Sequence, residues 1–437
     1  MTDTQALYDL YLRSSGICTD TRKITQGSLF FCLRGANYDA NLFAQQALDA
    51  GALAVVVDAE HHQERTSAEG YQVVPDSLEA LQQLATHHRI ALGLKVIAVC
   101  GSNGKTTTKE LLSLVLSTKY NTFATPGNLN NHIGVPLSIL QLNLSHEIAV
   151  LELGANGPDE IALLCEIARP DAGFITNIGK DHLEGFGSVD GVARANAELF
   201  DYLILHNGQL FCNTQEPEVK VLVSQYGSAF TYPGPEDDYT CSLVSADGYI
   251  KIEDAKGRTF GTQLVGAYNF GNVATALAIG HYFGVDPDAA AEAVASYQPG
   301  NMRSQIVLGQ SQYQNTILLD AYNANPSSME LAIQNFAAMS WQGKSKALFV
   351  GDMFELGPDA EAEHAAIGNL VSGLSSIKVP VFVGGLMKSA HEQCPGSYHF
   401  ETRAAAEAWL QDNPLQDHFV LLKGSRGMAM ERLLPAL

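Results

Sequence analysis

Short apolar runs separated by glycine and polar turns set the outline of this chain. In the first stretch, Ser28 to Leu33 and Ala52 to Asp58 are compact β-rich runs bounded by turn signals. Ser77 to Leu92 then repeats apolar residues at helical spacing, with Leu78, Leu81, Leu84 and Ala85 on one face. A boundary is expected near Gly93. From Lys95 the pattern becomes buried strand, glycine turn, helix: KVIAVC, then GSNG, then KTTTKELLSLVL. The runs EIAVLELG, PDEIALLCEIA and AGFITNIG and the helical stretch Val189 to Leu205 continue it, and a helical pattern from Asn269 to Phe283 closes the region. Alternation of this kind predicts a parallel sheet covered on both faces. After Pro299-Gly300 it restarts: strands TILLD, KALFVGD, VPVFVG and HFVLLKG alternate with helices beginning near Pro326, Ala360, Arg403 and Met428. The fold class is therefore α/β in three domains: a small α/β unit over 1–92, a central mostly parallel unit over 93–299, and a smaller doubly wound, Rossmann-like unit over 300–437.

Length and composition narrow the function. A chain of 437 residues is too long for one ordinary core. With 26 basic and 47 acidic side chains its formal charge is −21, which makes it a poor partner for nucleic acid or an anionic membrane. Any bound anion must be held by local cations, backbone N–H groups or metal. Seven cysteines are scattered with no CxxC pair, the pattern of reduced thiols rather than a disulfide framework. The N-terminal MTDTQALYDLYLRSSG lacks the basic and apolar regions of a signal peptide, and no apolar run approaches the roughly 20 residues that span a bilayer. A cytoplasmic protein is expected, working as a monomer.

The sharpest local signal is GSNGKTT over 101–107, set between a predicted strand and a predicted helix. Gly101, Ser102, Asn103 and Gly104 can turn backbone N–H groups toward phosphate oxygens, and the helix N-terminus adds positive potential. Lys105 can neutralise the β- and γ-phosphates of ATP. Thr106 can offer its hydroxyl to Mg²⁺, with Thr107 beside it. The general P-loop pattern places a further glycine where this chain has Val99, so by that pattern the match is incomplete. The plain alternative is a glycine turn with a solvated lysine; it leaves the coincidence of strand, turn, Gly-Lys-Thr and helix unexplained.

The shortened loop resembles that of the Mur ligase family. Further blocks in the same order strengthen the likeness: TDTRKITQGSLFFCLRG (19–35), TPGNLNNHIGVPLSIL (125–140), LELGANGPDEI (151–161), ITNIGKDHLEGFGS (175–188), LDAYNANPSS (319–328), GDMFELG (351–357) and LLKGSRGMAME (421–431). Within the family they look like the branch that joins D-alanyl-D-alanine to a UDP-linked muramoyl tripeptide. The resemblance implies an N-terminal module for the uridine nucleotide, a central P-loop ATPase domain and a C-terminal Rossmann-like domain. It also implies a reaction in which a carboxylate takes the γ-phosphoryl group of ATP, and an amine then displaces phosphate. Phosphorylation supplies the leaving group that a carboxylate lacks, and cations at the site offset repulsion between carboxylate and triphosphate.

By the same resemblance Glu152 and His182 are metal-site residues, and Arg303 reaches the γ-phosphate when the third domain closes. Asn269 and Asn272, with Tyr268 before them, hold adenine, and Asp320 holds the ribose. Thr19, Asp20, Thr21 and Arg22 hold the uridine diphosphate; Asn128, Asn130 and Asn131 face the muramoyl part. Tyr322, Asn323 and Asn325 suit nucleotide or peptide recognition, and Lys423, Ser425 and Arg426 suit the incoming dipeptide or the acyl phosphate. Each has a plainer reading. Glu152 could be a solvated strand end, His182 a structural histidine, Tyr268 a core aromatic, Arg303 a hinge-flanking cation, the asparagines turn formers before Pro326, and the basic C-terminal loop a solvated strand end. His132 stands where many relatives carry glutamate and is not assigned.

One position departs from the family. Where a side-chain-carbamylated lysine is usual, in a sequence like ARAKGE, this chain reads ARANAE with Asn196, and no lysine lies between Lys180 and Lys220. Asn196 acting through water is the expectation; Glu198 supplying the charge, a weak second metal, or a surface helix position are the other accounts. Competing functions are a neighbouring Mur ligase or a folylpolyglutamate synthase-like enzyme, against which AYNANPSS and GNLNN argue. A nucleotide-binding protein that has lost ligase activity is the alternative from another class.

Overall fold

The strand Lys95–Cys100 shows how the sequence makes layers. Val96, Ala98 and Cys100 face one core and Ile97 and Val99 another, all fully buried, because side chains alternate across a strand. In the computed structural model, which describes residues 2–65 and 68–437, the same division recurs in each of three large sheets. Leu29 and Phe31 point to one side of the first sheet and Phe30 and Cys32 to the other; Leu348 and Val350 oppose Ala347 and Phe349 in the last.

The first sheet is parallel, in the order Ile17–Cys18, Leu29–Phe31, Ala54–Asp58, Tyr71–Val74. The central sheet is also wholly parallel, in the order Phe230–Tyr232, Gln209–Asn213, Ala172–Ile175, Lys95–Cys100, Ile148–Glu152, Thr122–Ala124. Lys95–Cys100 lies inside it, and later strands are laid down on both of its sides. Its carboxyl end is thus the switch point at which open α/β sheets form a crevice. The third sheet runs Gln305–Leu308, Thr316–Asp320, His418–Lys423, Ser345–Gly351, Ile377–Val383, Tyr398–Phe400; only its first strand is antiparallel.

The expected helices form at Ser77–Leu92, Lys105–Ser117, Val189–Leu205, Pro326–Ala338, Ala360–Ser372 and Arg403–Asp412. The helix expected near Met428 is instead two 3₁₀ segments, Arg426–Met428 and Met430–Ala436, the second containing Pro435, which has no N–H to continue an α-helical ladder. An antiparallel sheet of Ser242–Ser245, Tyr249–Glu253 and Thr259–Val265 was not expected. Among the described residues no helix is long and apolar enough to cross a membrane.

Two sets of polar contacts fix the units against one another. Helix Ser77–Leu92, capped by the Asp76 carboxylate at its start and by left-handed Gly93 at its end, seats Arg89 beneath the central sheet. The Arg89 guanidinium donates to the carbonyls of Ala168 (3.0 Å) and Arg169 (3.1 Å) and to Asp171 (2.8 Å). Beside it His88 meets the carbonyl of Leu142 (3.0 Å), and the Tyr11 hydroxyl donates to that of Leu140 (2.7 Å). On the other side, the amide N–H groups of Ala267 and Ser340 donate to Asn335 and Asp247 across the junction with the third sheet, and Trp341 packs edge-on to Tyr249.

Replacing Arg89 with Met leaves two carbonyls and a carboxylate without their buried donor. A loss of about 2–3 kcal/mol is expected, read as a lower urea midpoint. Burial lowers the pKa of both His88 and His364. His364 accepts from the N–H of Met353 through Nε2 (3.0 Å), so its proton sits on Nδ1, facing the Ala360 carbonyl. The folded protein therefore keeps each ring neutral to lower pH than the unfolded chain does. Their contribution is complete above the unfolded value of about 6.5 and declines as pH falls below it, by at most about 1.4 kcal/mol per pH unit for each ring. Urea titrations of His364→Gln should therefore show lower stability at pH 7.5 but a shallower slope between pH 6.5 and 5.

Candidate active site

The glycine turn is shaped by positions that exclude a side chain. Gly101 has φ +120°, and a Cβ there would lie 2.2 Å from the Thr176 hydroxyl; Gly104 has φ +81°, and a Cβ there would lie 2.5 Å from the Asn272 amide oxygen. Asn177 clamps the turn. Its carbonyl accepts from Ser102 N–H, its side-chain oxygen from Asn103 N–H, and its amide donates to the Asn103 carbonyl, each at 3.0 Å. The helix Lys105–Ser117 starts from Gly104 with no side-chain cap, so its first N–H groups point outward at the sheet edge, the arrangement that receives anions. Lys105 Nζ folds over the same turn, donating to the carbonyls of Gly101 and Ser102 (3.1 Å), with Asp181 4.0 Å away.

Behind the turn lies a buried polar knot. Glu152, the last residue of its strand, is 2% exposed. Thr106 Oγ1 donates to one carboxylate oxygen and Asn130 Nδ2 to the other, both at 2.9 Å. The buried ammonium of Lys109 stands 3.6 Å from Glu152 and donates to the carbonyls of Thr125 (2.8 Å) and Gly127 (3.1 Å). Thr125 in turn accepts from Glu152 N–H (2.9 Å). The oxygens of Thr106 and Glu152 are the hard donor type that suits Mg²⁺. Among the described residues no cluster of three His, Cys, Asp or Glu side chains could hold a metal ion.

The glycine turn, Thr106, Asn130 and Glu152 line a cleft of about 360 Å³ between the carboxyl edges of the central and third sheets. Ser102, Asn103, Gly104, Lys105, Thr106 and Thr107 form one wall, with Asn128, Asn130, Asn131, Glu152 and His182; Asn269 and Asn272 stand beside them, and Arg303, Asp320, Tyr322, Asn323, Asn325 and Lys423 face them. Three lysine or arginine side chains meet three carboxylates here, those of Glu152, Asp181 and Asp320, so the site is locally balanced in a chain of charge −21. Lys423 and Asp320 are paired in register on neighbouring strands and joined at 2.6 Å. Asp320 also accepts from Ser304 N–H (3.1 Å). The Arg303 guanidinium lies 3.9 Å over the Tyr322 ring, and its buried Nε has no hydrogen-bond partner. Around it Asn301, Met302 and Ser304 take positive φ, bending the chain sharply between the two sheets.

Asn325 ties the walls together. It caps helix Pro326–Ala338 through its oxygen while its amide donates to Asn103 (3.0 Å) and Asp181 (3.1 Å). His182, in a left-handed conformation, reaches Glu355 at 2.5 Å and lies 3.6 Å from Asp181. Asn269 and Asn272 form a closed chain: Asn269 donates to the Val265 carbonyl, Asn272 to Asn269, and Thr108 to Asn272. They therefore buttress Gly104 as well as lining the cleft. Tyr268 contacts Ser304 (2.7 Å), and burial raises its phenol pKa.

Other expected residues lie elsewhere. Thr19, Asp20, Thr21 and Arg22 are in the first unit and do not line this cleft. There Asp20 caps the short Thr21–Lys23 turn and pairs with exposed Arg22 (2.9 Å), which lowers the Asp20 pKa to about 2. Ser425 is buried, accepting from Phe354 N–H (2.9 Å), and Arg426 is exposed and pairs with Glu431 (3.1 Å); neither lines the cleft. Asn196 is buried, its amide bonded to the Val192 carbonyl (2.9 Å), which excludes the surface account. Glu198 is occupied by the N–H groups of Asp159 and Ala162. Sequence reasoning missed Lys109, Thr125, Asn177 and Asp181. A second lysine one helical turn after Lys105, on the same helix face, was the available clue to the first.

Comparison with known proteins agrees along the whole chain. Residues 13–89 match the family description "Mur ligase family, catalytic domain", 99–280 "Mur ligase middle domain" and 302–426 "Mur ligase, glutamate ligase domain". The UDP-N-acetylmuramoyl-tripeptide–D-alanyl-D-alanine ligase of Bacillus subtilis is 37% identical, the match covering 97% of this chain and 93% of that protein. The Escherichia coli protein of the same description is 34% identical over 96% and 93%. A crystal structure of MurF from Acinetobacter baumannii superposes with a TM-score of 0.84 at 30% identity, covering 97% of this chain and 96% of that one. MurF from Thermotoga maritima in complex with ADP gives 0.83 at 26% identity, covering 98% and 97%. With its three segments matched in order and relatives above 30% identity spanning nearly its full length, the chain belongs to the Mur ligase family.

Proposed function

We propose that this protein is an ATP-dependent ligase that adds D-alanyl-D-alanine to a UDP-N-acetylmuramoyl tripeptide, forming ADP and phosphate in the synthesis of peptidoglycan precursors. The observation that carries this reading is the cleft in which an uncapped helix N-terminus and Lys105 face Arg303 and Lys423. Such a cleft can hold a triphosphate against a second anion. The whole-length likeness to ligases of that description supports the choice of substrates.

In the reaction, an oxygen of the tripeptide carboxylate bonds to the γ-phosphorus and the bond to the bridging oxygen of ADP breaks. The dipeptide amine then bonds to the acyl carbon, phosphate leaves with the carboxylate oxygen, and the amine proton passes to solvent. The N–H groups of residues 104–107 and Lys105 hold the phosphates of ATP. Lys105 must exchange its contacts with Gly101 and Ser102 for them, a short motion of a flexible stem. Arg303, with one unpaired buried N–H, is the candidate for the charge that shifts to the transferring phosphoryl. Thr106 and Glu152 would hold Mg²⁺, which when bound screens the phosphate charges; His182, in the same cleft beside Asp181 and Glu355, is the further candidate for that role. Asp320 suits the ribose, Asn128, Asn130 and Asn131 the muramoyl side, and Tyr322, Asn323 and Lys423 the peptide end. We assign residues 1–92 to the uridine nucleotide through Thr19–Arg22, residues 93–299 to ATP and residues 300–437 to the dipeptide, in a cytoplasmic monomer.

Isotope tracing tests the chemistry. With ¹⁸O in the tripeptide carboxylate, one labelled oxygen should appear in released phosphate; unlabelled phosphate would exclude the acyl phosphate. Lys105→Ala should lower kcat/KM for ATP at least 10³-fold, roughly 4 kcal/mol, while the uridine nucleotide still binds in a direct titration. Turnover within tenfold of the parent would remove Lys105 from the phosphate site.

A further inference from the structure

Lys109 is among the most deeply buried charged side chains in the protein, at 2% exposure, and the reaction as derived above gives it no task. A buried ammonium is costly unless its three protons are satisfied. Here two go to the carbonyls of Thr125 and Gly127, and the ion faces Glu152 Oε2 at 3.6 Å. That oxygen also accepts from Thr106, and its partner oxygen from Asn130. The carboxylate that would meet a metal ion is therefore fixed in place and already faced by an internal ammonium. No third acidic or imidazole ligand stands close enough to complete a metal site among the described residues.

We propose that Lys109 is a positioning residue that makes Glu152 a charge-balanced ligand. The protein alone then holds a divalent cation weakly, and the ion is retained when a nucleotide brings phosphate oxygens and the missing negative charge. The same ammonium fixes the Thr125–Gly127 backbone that leads into Asn128, Asn130 and Asn131, so one group sets both the metal carboxylate and the start of the muramoyl-side loop. This rests on the assignment of Glu152 to the metal made above.

Mn²⁺ titrations followed by electron paramagnetic resonance, with and without ADP, separate the two ideas. In the parent, Mn²⁺ should bind at least 100-fold more tightly with ADP than without. Lys109→Gln keeps donors for the two carbonyls but removes the charge. It should bind Mn²⁺ alone at least fivefold more tightly than the parent does, and turn over at least 100-fold more slowly with the KM for ATP changed less than threefold. Lys109→Met serves as the second uncharged variant should the glutamine protein melt non-cooperatively. Lys109→Arg keeps the charge, and should restore weak Mn²⁺ binding and at least tenfold of the lost turnover. Unchanged or weaker Mn²⁺ binding in the uncharged variants, or turnover within threefold of the parent, overturns the role of Lys109. A parent that binds no Mn²⁺ even with ADP overturns the metal assignment of Glu152, and this inference with it.

Discussion

Each carboxylate lining the cleft has company. Glu152 is answered by Lys109, Asp320 by Lys423, and Asp181 by the Asn325 amide with Lys105 nearby. A lone ion taken out of water costs several kcal/mol, so each pairing is a condition for the two sheet edges to meet at all. The pairs are also unequal in freedom. Lys109 and Lys423 are enclosed, whereas Lys105 is held by carbonyls of its own loop and keeps a flexible stem. The fixed pairs shape the cleft, and the mobile lysine is left to respond to phosphate.

The architecture was legible where burial dictates pattern. Strands covered on both faces write continuous apolar runs, and KVIAVC, TILLD and HFVLLK all became interior strands of mostly parallel sheets. The antiparallel sheet over Ser242–Val265 was missed because only alternate residues are buried, as in Tyr249–Glu253, and short polar strands of that kind resemble loops. The 3₁₀ turns at the C-terminus were read as a helix because apolar spacing survives there while Pro435 breaks the ladder.

In the cleft, the glycine turn, Lys105 and Glu152 are residues that the sequence singled out by their chemistry and that the fold brings together. Sequence reasoning could not see partners brought from elsewhere. Asn177 stands 74 positions from the turn it clamps, and Lys109 looks like any helical lysine until the fold encloses it. Nor could spacing reveal that Asn272 spends its amide on Asn269 and Asn269 its own on the Val265 carbonyl, or that Asn196 turns inward. Hydrogen-bond bookkeeping is a property of three dimensions.

The Asn325 side chain serves two masters at once: its oxygen starts a helix of the third sheet while its amide reaches the turn of the central one. By helix-cap preferences alone, aspartate or serine would serve equally well at that place. Aspartate would set a second negative charge against Asp181, and serine would stop short of Asn103. The helix could keep its first turn under either exchange while the two walls of the cleft lost one of their fastenings, so a stabilising consensus chosen by cap statistics would be blind to what this amide joins.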